Sequence, residues 1–74
     1  MHIGRLIREE IRKQDHTVKW FAKKLNCNRT NAYNIFRRAN IDTEIMTRIC
    51  LILNHNFFND LSAEMDIKLT HLTR

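Results

Sequence analysis

The chain has 74 residues, with no proline, a single glycine, an apolar fraction of 43% and a formal net charge of +5. This length allows one domain with a small core. The apolar fraction is too high for a wholly disordered chain, and the scarcity of glycine and proline argues against a fold rich in turns. The positive charge is compatible with a polyanionic partner such as nucleic acid.

The residue types that commonly build catalytic or metal sites are few and scattered. Cys27 and Cys50 match no zinc or redox spacing, the four histidines form no pair at helical spacing, and no P-loop or other catalytic motif is present. The sequence also has no secretory signal and no apolar run of about 18 residues. We therefore expect no metal, no cofactor, no enzymatic activity and no membrane partner, with reduced thiols in a cytoplasmic protein.

Residues 1–14 are predicted to form an amphipathic helix. Its apolar stripe has helical spacing and consists of Ile3, Leu6, Ile7 and Ile11. Charged residues cover the remaining surface, and we expect this charged face to be solvated. The alternative is that Arg5 or Arg8 contacts a phosphate group.

Residues 17–25 are predicted to form a second helix that ends in a tight turn. The hydroxyl of Thr17 suits an N-cap, because it can accept a hydrogen bond from an otherwise unpaired backbone N–H. One apolar face follows, made of Val18, Phe21, Ala22 and Leu25. Asn26 tolerates a positive φ and can end this helix in a left-handed turn, and Asn28 can then cap the next helix.

Residues 29–38 are predicted to form a third helix with two different faces. Its inner face consists of Ala32, Ile35 and Phe36, and its outer face of Arg29, Thr30, Tyr33, Asn34 and Arg37. All eight acidic residues lie outside residues 18–40, whereas six of the thirteen basic residues lie within residues 17–38. Together the two helices and the turn predict a helix-turn-helix segment for reading DNA.

A fourth helix is predicted from the N-cap Asp42 to about Leu53, apolar around most of its circumference and therefore central to the core, with Leu51 exposed. A short fifth helix over residues 57–63 would close the core with Phe57, Phe58 and Leu61. For residues 64–74 three alternatives stay open: a strand, from alternating apolar and polar residues, a helix, or a frayed end. We thus expect a domain over residues 1–63 and a tail over residues 64–74 that is flexible or contacts a second chain.

Trp20 lies off the apolar face of the second predicted helix. We expect it to pack within the molecule, over the first helix, with Lys24 one turn away for a cation–π contact. The alternative is that an exposed Trp20 marks a dimer contact.

The pattern of these residues resembles the helix-turn-helix of phage repressor-like (Cro, XRE-type) regulators. The resemblance rests on small Ala22 after Phe21, on apolar Leu25, Ala32 and Ile35, and on the surrounding helix count, and it covers about residues 3–61. The family favours glycine in the turn, where this chain has Asn26. The resemblance implies an all-α fold, a compact lambda repressor-like domain of four to five helices.

The resemblance also implies which residues would contact DNA. Its base-reading positions correspond to Arg29, Thr30, Tyr33 and Asn34. Arginine can pair with guanine, asparagine with adenine, and threonine can contact a thymine methyl group. The expected phosphate contacts are Thr17, Lys19, Asn28, Arg37, Arg38 and Asn40, at the two ends of the helix-turn-helix.

The sequence thus predicts a transcriptional regulator that binds double-stranded DNA in a sequence-specific manner, as a homodimer on half-sites about 34 Å apart. One alternative is a protein-interaction module of the same fold, such as an antitoxin or adaptor. RNA binding is a second alternative, although no platform of several aromatic residues for base stacking is evident.

Overall fold

Residues 1–72, which the computed structural model describes, form five α-helices and contain no strand. The helices are α1 (Ile3–Lys13), α2 (Val18–Leu25), α3 (Arg29–Arg37), α4 (Thr43–Leu53) and α5 (Phe57–Leu72). The prediction of a small all-α domain is confirmed. Within these residues no helix combines the length and the apolar character needed to cross a membrane.

The core is built from one apolar face of each helix. Its buried side chains are Ile3, Ile7, Ile11, Phe21, Ala22, Leu25, Ala32, Phe36, Met46, Ile49, Leu53 and Phe57. They all lie in the predicted stripes, because removing apolar surface from water is the main force that orients an amphipathic helix. Leu6, Val18 and Ile35 of those stripes are only half-buried. Phe58 was expected in the core but is 37% exposed, so that prediction is wrong. α4 contributes three of these side chains, and its Leu51 is 78% exposed, as predicted.

Side-chain caps define the starts of α2, α3 and α4. The hydroxyl of Thr17 accepts a hydrogen bond from the Trp20 N–H at 3.0 Å, and Asn28 Oδ1 accepts one from the Asn31 N–H at 2.8 Å. Asp42 Oδ1 accepts one from the Ile45 N–H at 2.8 Å. These three predicted N-caps are confirmed.

The turn between α2 and α3 depends on the backbone of Asn26. This residue has φ 60° and ψ 45°, the left-handed conformation that was predicted for it. Asparagine reaches this region at lower cost than most side chains other than glycine. The turn therefore keeps its shape without the glycine that the resembling family favours.

The first turn of α1 lies directly against the carboxyl end of α3, a contact that the sequence did not predict. The Ile3 N–H donates to the Ala39 carbonyl at 3.1 Å, and the Gly4 N–H donates to the Arg38 carbonyl at 2.9 Å. A Cβ atom on Gly4 would lie only 2.4 Å from the Phe36 carbonyl oxygen. Glycine is thus required for this close approach, which fixes α3 relative to α1.

Trp20 packs within the molecule, as predicted. Its ring stacks on the imidazole of His16 with the centroids 3.5 Å apart, and Lys24 Nζ lies 6.0 Å from the ring centroid. His16 lies in the connector after α1, so the ring partner of Trp20 is not on the first helix, where it was expected.

The fifth helix is longer than predicted. It was expected to end near Ala63, but α5 continues without a break to Leu72, so residues 64–72 are helical and the strand considered for them is wrong. Leu61, Met65 and Leu72 fit a helical stripe, and no second strand is available for pairing within the described residues. The last two residues of the predicted tail, 73–74, lie outside the described residues.

Candidate nucleic-acid interface

The outer face of α3 carries the candidate reading residues. Its exposed side chains are Arg29, Thr30, Asn31, Tyr33, Asn34 and Arg37. At about 100° per residue, the four predicted base-contacting side chains fall within an arc of about 140°. On the opposite side Ala32 and Phe36 are buried, so α3 is anchored by one face while the other remains open to solvent.

Tyr33 is held in place by two neighbouring side chains. Its ring meets that of Phe36 edge-on, with the centroids 5.9 Å apart and an interplanar angle of 89°. The guanidinium carbon of Arg8, from α1, lies 5.8 Å from the Tyr33 centroid and 5.7 Å from the Phe36 centroid. Tyr33 is still 38% exposed, so its hydroxyl end can contact a ligand.

Arg8 therefore belongs to the same surface as α3. The sequence offered it only as an alternative phosphate contact on a face expected to be solvated. It follows Gly4 by one helical turn, and Gly4 is where α1 touches α3. A lone glycine inside a helix often marks such an approach, so its presence was the signal that could have placed Arg8 beside the reading face.

Two side chains of the outer face of α3 are hydrogen-bonded to each other in the chain without DNA. An Arg37 guanidinium N–H donates to Asn34 Oδ1 at 3.2 Å. At the same end of α3, the Arg37 carbonyl accepts a hydrogen bond from His2 Nε2 at 3.2 Å, while His2 Nδ1 accepts one from the Arg5 N–H. Asn34 would have to exchange its bond to Arg37 for bonds to a base edge if it reads adenine.

The predicted phosphate-contacting residues are all exposed and lie in two groups. Thr17, Lys19 and Asn28 lie near the starts of α2 and α3, and Arg37, Arg38 and Asn40 lie at the carboxyl end of α3. The oxygens of Thr17 and Asn28 already accept capping hydrogen bonds. Thr17 can still donate its hydroxyl proton to a phosphate, and Asn28 can donate from its side-chain NH2 group.

Lys19 and Asn28 of the first group line a shallow concavity of about 390 Å³ at the start of α3, which was not predicted. Its lining is formed by Lys19, Ala22, Lys23, Asn26, Cys27, Asn28 and Arg29. The concavity collects three cationic side chains. It brings Lys23, which the sequence analysis did not select, next to three residues that it did select, Lys19, Asn28 and Arg29.

The charges at these helix starts oppose the local electrostatic preference. The amino end of a helix carries partial positive charge and favours acidic side chains by about 0.3–1 kcal/mol each. α4 and α5 follow this preference with Glu44 and Asp60, whereas α1, α2 and α3 have no acid in the first turn and carry Arg5, Lys19 and Arg29 there. Local rules of this kind are broken most often at functional or strained sites.

The turn beneath this concavity is held by α4. An Arg48 guanidinium N–H donates to the Leu25 carbonyl at 3.1 Å, so it satisfies a carbonyl at the end of α2. Burial raises the pKa of the nearby Cys27 thiol above its usual range, and the positive charge of Arg48 lowers it by a smaller amount.

We expect Cys27 to react slowly with alkylating reagents at neutral pH. The thiolate is the reactive form, so a raised pKa leaves less of it than in the unfolded chain, and the rate should rise as the pH increases past the usual thiol range. Mass spectrometry of iodoacetamide-treated folded chain, with the urea-unfolded chain as control, measures this difference. Equal Cys27 rates in the two states would contradict it.

Comparison with known proteins gave no match to any family model, curated protein or solved structure. The function is therefore inferred from the described fold and from the geometry of α3.

Proposed function

We propose that this protein binds double-stranded DNA in a sequence-specific manner, as a homodimeric transcriptional regulator with α3 in the major groove. The observation that carries the proposal is the outer face of α3. Its candidate reading side chains are exposed on one arc, the opposite face is anchored in the core, and cationic residues lie at both ends. This arrangement is the one expected of a recognition helix.

The dimensions of α3 fit this role. An α-helix with its side chains is about 10–12 Å across, and the major groove of B-DNA is about 12 Å wide. In the proposed complex Arg29 bonds to a guanine edge and Asn34 to an adenine edge. Thr30 contacts a thymine methyl group, and Tyr33 packs on sugar or methyl groups or donates to a phosphate.

Phosphate contacts would fix the position of α3 on the duplex. At the starts of α2 and α3 these contacts come from Thr17, from Lys19 and from Asn28, together with the amino end of α2. At the carboxyl end of α3 they come from Arg37, Arg38 and Asn40. The proposal extends the resemblance to repressor-like regulators. It requires no cofactor and no catalytic step, and it places the protein in the cytoplasm.

The dependence of duplex affinity on salt tests this proposal. Each neutralised phosphate contributes about −0.9 to the slope of log affinity against log salt concentration. With Lys19, Arg37 and Arg38 as the cationic contacts, we expect a slope of about −3 for one chain and about −5 for a homodimer. Fluorescence anisotropy with a labelled duplex between low and physiological salt would measure it, and a flat response would contradict the proposal.

Selection from a random duplex library would then show whether a sequence motif is preferred and how its half-sites are spaced. The competing function is a protein-interaction module, which exposed Leu51 and the apolar residues of α5 favour. That function predicts no enriched duplex motif. Equal affinity for single-stranded RNA and for duplex DNA would favour the RNA alternative.

A further inference from the structure

The distal part of α5 leaves the hydrophobic core. In this 16-residue helix only Phe57 is buried, Leu61 is half-buried, and residues 65–72 are exposed. The described part of the chain measures 45 Å in its longest direction and about 20 Å in the other two. A helix of this length spans about 24 Å, so α5 has ample length to extend beyond the core.

The exposed surface of α5 is apolar along one side. We call this side the α5 stripe and define it by Phe58, Leu61, Met65, Leu69 and Leu72. At about 100° per residue these side chains fall within an arc of about 80°, and they extend about 21 Å along the helix. Phe58 is 37% exposed, Met65 50%, Leu69 46% and Leu72 79%. A row of exposed apolar side chains along one side of a helix is a candidate interaction site.

The order of residues in the α5 stripe is symmetric about Met65. The steps along the chain are three, four, four and three residues, so the stripe has the same spacing in either direction. When two such helices pair antiparallel about a two-fold axis at Met65, Phe58 faces the partner's Leu72 and Leu61 faces the partner's Leu69. Met65 then faces the partner's Met65. Self-complementary spacing is what a two-fold interface between identical chains requires.

We propose that the α5 stripe is the interface through which two copies of this chain pair antiparallel. A shallow recess of about 430 Å³ lies on α5 between Phe58, Leu61 and Met65. In the antiparallel arrangement the recess lies opposite the partner's Leu69, so side chains of one copy can fill it. The inference deepens the proposed function, and it rests on the homodimer in that proposal.

The charges around the stripe favour a second copy over a lipid surface. Helices that lie on anionic membranes carry lysine and arginine on their polar face. α5 carries Asp60, Glu64 and Asp66 against the single cation Lys68, and Lys68 Nζ is already paired with Glu64 Oε1 at 3.5 Å. Glu64 has a second cationic partner. The Met1 amino nitrogen contacts its carboxyl group at 2.8 Å, and this hydrogen bond lowers the pKa of the Glu64 carboxyl.

The size of this interface predicts weak pairing. A stable protein interface buries about 800 Å² on each partner, and one helix face buries less than this. We therefore expect a reversible monomer–dimer equilibrium that depends on concentration. Sedimentation equilibrium of the unmodified chain without DNA, from about 1 µM to several hundred µM, should show the average mass rising from one chain toward two.

Met65→Glu tests the interface at its centre. Two facing carboxylates replace the apolar contact, so we expect dimerisation to weaken by at least about 100-fold. The matched control is Ile67→Glu, which makes the same kind of change at a residue that is 60% exposed but lies on the opposite side of α5. It should leave the association unchanged, and circular dichroism should show the same helix content and thermal midpoint for both variants.

Charge exchange tests the pairing further. Met65→Glu and Met65→Lys chains should each be monomeric, and an equimolar mixture should form a heterodimer because residue 65 faces its own copy. The orientation is tested by Phe58→Lys combined with Leu72→Glu, which brings opposite charges together only in the antiparallel arrangement. Phe58→Lys combined with Leu72→Lys should dissociate the dimer in either orientation.

Three results would overturn the inference: a monomer at every concentration, equal effects of the Met65 and Ile67 substitutions, or a mixture of Met65 variants that stays monomeric. Because these measurements contain no DNA, a failure here leaves binding of a duplex by one chain intact. Conversely, a chain that dimerises as described but shows no salt-dependent duplex binding would contradict the DNA proposal alone.

Discussion

Gly4→Ala should remove a large part of the stability of the folded chain. The new methyl group would lie 2.4 Å from the Phe36 carbonyl oxygen and 2.5 Å from the Ile35 carbonyl oxygen, and both atoms belong to the backbone of α3. Neither can move aside as a flexible side chain would. The start of α1 must therefore shift away from α3 and weaken the hydrogen bonds from Ile3 and Gly4 to the carbonyl groups beyond α3.

The expected loss of stability is opposite in sign to the effect that helix propensity alone would have. Inside a helix alanine is favoured over glycine by about 1 kcal/mol, which would make the variant more stable. Overpacking costs about 1–3 kcal/mol, and each weakened backbone hydrogen bond about 1 kcal/mol more. We expect a net loss of about 2–4 kcal/mol, a large part of the roughly 3–5 kcal/mol available to a chain of this size.

Urea and thermal unfolding followed by circular dichroism would measure the loss. For a domain of this size it corresponds to a fall of about 10–30 °C in the midpoint. Arg5→Ala is the control, because it introduces alanine at an exposed position of the same helical turn. A Gly4→Ala chain as stable as the unmodified one would mean that α1 and α3 are not in this close contact.

Arg29→Ala should weaken binding to a preferred duplex by about 1–3 kcal/mol and relax the preference at one base position, if Arg29 makes the proposed guanine contact. The fold should not be weakened. Arg29 lies in the first turn of α3, where a cation opposes the helix dipole, and alanine is also the better helix former. Binding and stability are therefore expected to change in opposite directions, which separates a role in recognition from a role in folding.

Anisotropy titrations of the selected duplex and of duplexes changed at single positions would measure this effect. Lys13→Ala is a charge-matched control. Lys13 is an exposed cation of α1 that lines a different surface, with His55 and Asp60. It should leave base preference unchanged. Equal losses on every duplex for Arg29→Ala would assign Arg29 to phosphate contact instead of base reading.

The parts of the fold that could be predicted are those determined by nearby residues. Thr17, Asn28 and Asp42 each cap a backbone group three residues further along, and Asn26 sets its own backbone angle. Such effects depend on side chains and backbone within one helical turn, so they can be inferred from sequence alone. The two faces of α3 followed in the same way from helical periodicity.

The features that could not be predicted depend on contacts between distant residues. Gly4 and Phe36 are far apart in sequence, and nothing local shows that α1 and α3 approach so closely there. The position of Arg8 over Tyr33 follows from that approach. For α5 the apolar pattern of the sequence was misleading. Met65, Ile67 and Leu69 are apolar at every second position, as in a strand, but in the helix Ile67 lies on the side opposite to the other two.

The length of α5 beyond the core would have a consequence for DNA binding by the proposed dimer. In the antiparallel pair, moving the two-fold axis along α5 by one helical turn, about 5.4 Å, displaces the partner domain by about twice that distance. This displacement of about 11 Å corresponds to about three base pairs at 3.4 Å each. If the proposed dimer binds DNA with α5 parallel to the duplex axis, the position of Met65 along α5 would therefore set the spacing between its half-sites.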